Sequence, residues 1–230
     1  MPDNPAASPE TDSPRASSQP AFWDERYRAH DRLFGTDPDP FLADALRRLP
    51  SGASVLDVGG GDGRNTLPLA RRHSFDVTVL DFAPHALDTA MAYATAQGCA
   101  ATALHADVRT WVPQRRYDAA VVAFVQLLPS ERTRLYDQLR DAVRPGGAII
   151  GLWFRDGHGS DAYDRIGPSK SDRYVHRQEI RRAFAADTVH TCAPVDRTVQ
   201  QGPVLRGHAA LLQAQVRRGS APDSGRRCSG

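Results

Sequence analysis

Three acidic residues and one cluster of glycines set the chemistry open to this chain of 230 residues. The segment Val55-Leu56-Asp57-Val58-Gly59-Gly60-Gly61-Asp62-Gly63 places a short apolar run directly before a glycine-rich turn. Gly59, Gly61 and Gly63 let the backbone turn tightly and approach a ligand closely. A helix following such a turn aims its N-terminal N–H groups at the same place. The spacing is G-x-G-x-G. A dinucleotide loop is G-x-G-x-x-G, and its third glycine falls on Arg64 here. A P-loop is excluded, because no G-K-[S/T] follows. Asp57, two residues before Gly59, suits a cationic amine and suits a phosphate poorly.

A second acid, Asp81, ends the next apolar run, 24 residues after Asp57. A carboxylate there accepts hydrogen bonds from both hydroxyls of a ribose. Phe82 beside it can lie against a purine ring. A third acid, Asp107 in Ala106-Asp107-Val108, follows the third run and fits an adenine amino group; it equally fits a cap on the following turn. Val108 and Phe124, after the third and fourth runs, complete the candidate cofactor wall. Acids after three successive strands suit a ligand with an amine, a diol and an amino-purine. S-adenosylmethionine (SAM) has all three.

These residues need a parallel sheet to bring them together. Ser54–Val58, Asp76–Asp81, Ala101–His105, Asp118–Phe124 and Ala148–Phe154 read as strands. Helices are expected between most of them: Asn65–Arg72, Pro84–Ala96, and one N-capped by Ser130 that reaches Val143 and is stopped by Pro145-Gly146-Gly147. Alternating strand and helix imply right-handed crossovers and a sheet covered on both faces. In such a sheet ligands bind at the C-terminal strand ends. Two short helices, Trp23–His30 and Pro40–Leu49, come first. After a helix over His176–Ala185, two strands (Thr188–Val199 and Ala209–Arg217) flank a turn at Gln201-Gly202-Pro203, which predicts an antiparallel hairpin at a sheet edge.

Residues 1–20 and 219–230 are rich in small and polar residues and read as disordered tails around one domain over 21–218. The net charge of +2, with no Lys/Arg block among aromatics, argues against a nucleic-acid partner. No stretch approaches 18 apolar residues, which argues against a membrane span. Three cysteines (Cys99, Cys192, Cys228) without metal-ligand spacing imply neither a disulfide framework nor a metal, and point to a reducing cytoplasm. A monomer or homodimer is expected.

The glycine segment, Asp81, Asp107, Tyr117-Asp118 and the stretch Leu139–Gly147 together resemble class I SAM-dependent methyltransferases. The likeness covers roughly residues 21–218. It implies an α/β, Rossmann-like three-layer sandwich with a seven-stranded, mostly parallel sheet and an antiparallel last strand. Phe22-Trp23-Asp24-Glu25-Arg26-Tyr27 followed by Phe34–Leu42 resembles the tellurite-resistance and thiopurine methyltransferase-like group. By that resemblance Trp23, Arg26 and Tyr27 cover the cofactor; as an amphipathic helix, the same residues would only pack on the core. The chain departs from that group where Leu127-Leu128-Pro129 lacks a histidine before the proline, and where Arg206-Gly207-His208 matches only loosely. Both departures fall on the acceptor side, so a tellurite- or selenite-type substrate stands as the second reading.

Methyl transfer needs an aligned acceptor above all, and a base where the nucleophile carries a proton. The polar stretch Arg155–Val175 follows the fifth strand, on the cofactor side; a loop that long is usually functional or disordered. It and its end supply the candidate bases His158 and His176, with Tyr163 behind them. His176 could equally begin a helix, and His158 could be solvent-exposed. The expected reaction is methylation of N, O or S on a small molecule, as in bacterial specialised metabolism. A non-catalytic SAM-binding regulator and an NAD(P)-binding domain are the readings from other classes.

Overall fold

The computed structural model describes residues 19–220. Seven strands form one sheet: β1 (Ser54–Val58), β2 (Asp76–Asp81), β3 (Ala101–His105), β4 (Tyr117–Ala123), β5 (Val143–Phe154), β6 (Thr188–Gln201) and β7 (Leu205–Arg217). The order is β3-β2-β1-β4-β5-β7-β6. The first five are parallel, and β7 lies antiparallel between β5 and β6. This is the expected seven-stranded, Rossmann-like sheet with an antiparallel last strand. The strand order reverses between β1 and β4, and a crevice opens above such a point.

Alternation along the strands assigns the two faces. Val55, Val77, Val79, Val121, Ile150 and Leu152 point into one buried cluster, which helices α2 (Pro40–Leu46), α3 (Leu67–His73) and α4 (Pro84–Gln97) cover. Leu56, Val58, Leu80, Val122, Ile149 and Trp153 point into the other, under α5 (Pro129–Ala142) and α6 (Arg177–Ala183). With both faces buried, the central strands read as near-continuous apolar runs.

Helix α1 (Pro20–Ala29) starts three residues before Trp23, inside the stretch expected to be a tail. Apart from Gln19, Pro20, Gly219 and Ser220, the expected tails and Cys228 lie outside the described residues. Leu128, rather than Ser130, is the N-cap of α5. Pro129 takes the first helical position, where its missing N–H costs nothing, and the Glu131 carboxylate accepts from the Leu128 N–H at 2.7 Å. Helix α3 begins two residues later than expected, because the preceding side chains are occupied: Asn65 accepts from the Asp39 N–H at 3.1 Å, and Thr66 donates to Asp57 at 2.7 Å.

The loop after β5 is a packed unit closed by a bridge between Arg155 and Val175. His158 fills its interior, its ring centre 4.6 Å from that of Phe154. The tip of the β6–β7 hairpin folds back onto the α1–α2 connection. A side chain on Gly35 would meet the Gly202 backbone nitrogen at 2.9 Å. Cys99 and Cys192 carry free thiols. No helix among the described residues is long and apolar enough to cross a membrane, and no group of three metal-ligating side chains occurs among them.

Candidate active site

A cavity of about 380 Å³ runs across the C-terminal ends of β1, β2 and β4, within the usual range for small-molecule sites. Gly59, Asp81, Phe82, Asp107, Val108 and Phe124 line it, as does the α1 face carrying Trp23, Arg26 and Tyr27. These nine expected cofactor residues come together on one wall. Asp24 fixes α1 there by accepting from the His85 N–H at the start of α4, at 2.8 Å. Phe34 packs against both Trp23 and Tyr27, with ring centres 6.2 Å apart in each case.

The glycine loop is shaped by contacts on three sides. Gly59 and Gly61 have φ of 62° and 56°, in the left-handed region that favours glycine. A Cβ on Gly59 would sit 2.6 Å from Val125 Cγ2, and one on Gly61 would collide with the Tyr27 hydroxyl. Gly61 therefore serves the site from beneath Tyr27. A Gly59→Val variant is expected to lose about 2 kcal/mol of stability through backbone strain alone, together with binding of S-adenosylhomocysteine (SAH), the demethylated form of SAM. Urea unfolding and calorimetry check this; a variant with native stability and affinity contradicts the loop's assignment.

The acids divide into distinct roles. Asp81 is buried, and its two carboxylate oxygens accept from the Gly61 and Ala83 N–H groups at 2.8 and 2.9 Å. Each oxygen keeps a lone pair for a ligand hydroxyl. Burial raises its pKa despite those hydrogen bonds. Asp107 both caps and pairs with Arg109, accepting from its backbone and from Nε at 2.9 Å. Burial pulls the Asp107 pKa up, but the Arg109 hydrogen bonds outweigh it and hold the acid below its ordinary range. An adenine amino group would therefore share Asp107 with Arg109.

Asp57 does not reach the cavity. It is 1% exposed, lies under Gly60 and holds the Thr66 hydroxyl. Burial drives its pKa from 3.8 to about 7. A carboxyl raised in the folded state is best tolerated when protonated, so its cost grows as pH rises from about 4 to about 7 and is complete above that. Asp57→Asn removes the charge and keeps an acceptor for Thr66. In ligand-free protein it is expected to add up to about 4 kcal/mol at pH 8 and almost nothing at pH 4. Urea midpoints of both proteins across that range check this; a pH-independent difference contradicts it.

Within the glycine loop the acid that lines the cavity is Asp62, which the spacing did not single out. It is 2% exposed, and its Oδ2 has no hydrogen-bond partner. Its closest cation is Arg32, with Nε 3.7 Å away. A buried, unsatisfied carboxylate oxygen on a cavity wall fits a cationic amine. Burial raises its pKa, with Arg32 and Arg64 pulling the other way. Arg64, standing where a dinucleotide loop has glycine, donates to the Asp37 carbonyl at 2.9 Å and to the Gln201 side chain. Gln201 in turn donates to Asp39 at 2.9 Å. The glycine loop is thereby tied to the hairpin tip.

The three candidate bases are not among the cavity-lining residues. His158 is 3% exposed and uses both ring nitrogens: Nδ1 accepts from the Ala210 N–H at 3.2 Å, leaving Nε2 to donate to the Ile166 carbonyl at 2.6 Å. It holds the loop and has no free lone pair. His176 is exposed at the N-cap of α6, near Asp156. Tyr163 accepts from Arg155 at 3.1 Å and stacks on His208. The loop after β5 reaches the cavity instead through Gly167–Lys170 and Arg173, the last of these beside Gln126. Phe124 lies between the halves with φ of 56°, a strained value for an aromatic residue. Burial, then the Asp81 and Asp62 charges, push the Tyr27 hydroxyl well above its ordinary pKa, so it is a hydrogen-bond donor rather than a base.

With this geometry in hand, residues 55–147 match the family described as "Methyltransferase domain". That match spans less than half of the chain, from β1 into β5. No curated protein matches the chain. Solved structures share the fold of the methyltransferase domain and its surroundings. TehB from Haemophilus influenzae is 16% identical with a TM-score of 0.67, over 86% of this chain and 66% of that one. A protein described for converting a disulfide bond into a thioacetal group during echinomycin biosynthesis is 23% identical, with a TM-score of 0.66 over 87% and 93%. The N-methyltransferase NodS from Bradyrhizobium japonicum WM9, in complex with SAH, is 18% identical with a TM-score of 0.62 over 86% and 97%.

Proposed function

We propose that this protein transfers the methyl group of SAM to an N, O or S atom of a small molecule, in the reducing cytoplasm to which its cysteine usage points. The observation that carries the reading is the cavity over β1, β2 and β4: its acidic half fits a nucleoside with a cationic amino-acid end, and its other half is left for an acceptor. Asp81 would hold the ribose, Phe82 and Val108 the purine, and Asp62 the amine. The α1 face would cover the whole. The residues present fit the group, since Asp62, on the cavity lining, carries a buried oxygen with no hydrogen-bond partner, and Gly59 and Gly60 bring bare backbone to the same lining.

When bound, SAM supplies a methyl group on a sulfonium, already activated toward displacement by an acceptor lone pair. The chain's own contribution is alignment and exclusion of water. The cavity's acids are committed elsewhere, so the nucleophile would enter with its lone pair already available, as a free amine or an ionised thiol or phenol. The same lack of a wall base also favours a second reading, a SAM-binding protein without catalysis. Incubation with methyl-labelled SAM and a panel of thiols, amines, phenols and selenite separates the two. Label is expected in an organic acceptor. SAM binding with no transfer to any of them supports the non-catalytic reading, and transfer to selenite alone supports a detoxifying one.

A further inference from the structure

We propose that the tip of the β6–β7 hairpin is an acceptor wall set by the glycine loop, with Gln201 as the positioning residue between them, so that loading the cofactor half of the cavity orders the acceptor half. The proposal rests on the methyltransferase reading for what fills each half. The tip lines the cavity through Val204 and Leu205, and the glycine loop lines it through Gly59, Gly60, Asp62 and Arg64. Arg64 spans the two. It is 4% exposed, and its Nη2 donates to the Gln201 side-chain oxygen. Gln201 is 6% exposed, and its amide donates to Asp39 at 2.9 Å. Asp39 also accepts from Arg197 of β6, and its own N–H donates to Asn65 at 3.1 Å. Gly35 and Gly202 meet backbone to backbone, with no room for a Cβ on either, so the tip seats directly on the α1–α2 connection.

The direction of the coupling follows from charge. Arg64 stands between two acids: burial pushes its pKa down, and the charges of Asp39 and then Asp62 pull it back. Asp62 carries the buried oxygen without a hydrogen-bond partner on the cavity lining. A cationic amine seated on Asp62 takes up that acid's charge and leaves the Arg64 guanidinium to Gln201 and Asp39. A ligand shifts such a balance only by binding one arrangement better than the other. Here the better-bound arrangement is the one that holds the tip. By linkage, an acceptor that presses on Val204 and Leu205 returns the same factor to the cofactor's affinity. A buried guanidinium and a buried amide are costly to place without partners, and this pair finds its partners across the two halves of the site.

Hydrogen–deuterium exchange of the full chain, read by mass spectrometry, tests this with Gln201→Met and Arg206→Ala. Arg197 and Asn65 still hold Asp39 in the first variant, so its fold is kept. The second removes an exposed side chain that donates to the Gly202 carbonyl, which loosens the tip and leaves the relay whole. Without ligand, Gln201→Met is expected to quicken exchange across residues 60–66 as well as at the tip, residues 201–205, whereas Arg206→Ala quickens the tip alone. Saturating SAH should slow the tip at least about fivefold in the native protein and in Arg206→Ala, and less than about twofold in Gln201→Met. Bound SAH that leaves the native tip unslowed, equal slowing in Gln201→Met, or its loss in Arg206→Ala overturns the proposal. Unchanged exchange across residues 60–66 in ligand-free Gln201→Met overturns it as well. Absence of SAH binding sinks the cofactor reading; if ligand-free Gln201→Met still quickens the glycine loop, the tie between tip and loop stands.

Discussion

Asp81→Ala is expected to weaken SAH binding by about 3 kcal/mol, roughly a hundredfold. Two losses combine in that figure. The ribose loses a charged hydrogen-bond partner, and the Gly61 N–H, now held at 2.8 Å, is released from it. Released, Gly61 no longer fixes the turn beneath Tyr27, so the cradle becomes less ordered before the ligand arrives. Asp81→Asn keeps one acceptor and should lose less than the alanine variant. Calorimetry on both variants checks the order; an alanine variant that binds SAH as well as the unsubstituted protein removes Asp81 from the site.

The largest expected loss of stability lies on the acceptor side. Arg132 is buried and donates through Nε and Nη2 to Glu179 at 2.6 and 2.8 Å. Through Nη1 it also donates to the carbonyls of Leu127 and Asp172, at 2.8 and 2.9 Å. One guanidinium thus joins the segment after β4 to the loop after β5, next to the cavity. Arg132→Met leaves Glu179 without its counter-charge and two carbonyls without donors. Removing one member of a buried pair costs 3–5 kcal/mol; Glu179 is 25% exposed, so about 3 kcal/mol is expected. Burial raises the Glu179 pKa, but the hydrogen bonds from Arg132 and Tyr136 outweigh it and keep the acid below its usual range. A carboxyl lowered in the folded state stabilises above its unfolded pKa of about 4.5, and that contribution fades as pH falls through the folded value. The gap between variant and native protein should therefore narrow in acid. Urea unfolding at pH 7 and below pH 4 measures both; a loss under about 1 kcal/mol at pH 7 contradicts the role given to Arg132.

What the sequence could and could not reveal follows from how each residue is held. Asp81 ends a strand that reads as a short apolar run, and Phe82 and Asp107 follow such runs, so their place at one end of the sheet was legible. Asp57 was legible as an acid but not as a direction. It sits on a strand, and its side chain points down toward Thr66. Asp62 stands between Gly61 and Gly63, whose positive φ values turn it to the cavity wall; no periodicity carries that information. Arg64 was read as a missing glycine, whereas its partner Gln201 lies 137 residues away. The bases were misplaced for a related reason. A loop has no repeat to say which side chains turn inward, and His158 folds back against Phe154 while Lys170 and Arg173 reach the wall.

The central claim is that the glycine loop and its acids receive SAM rather than a dinucleotide. Calorimetric titration of the protein with SAH and, separately, with NADH tests it most directly. SAH is expected to bind with a stoichiometry of one and NADH to give no saturable heat, because Arg64 occupies the position of the third glycine and Asp62 faces the space a pyrophosphate would need. Saturable NADH binding that SAH does not displace, or no SAH binding at all, contradicts the account.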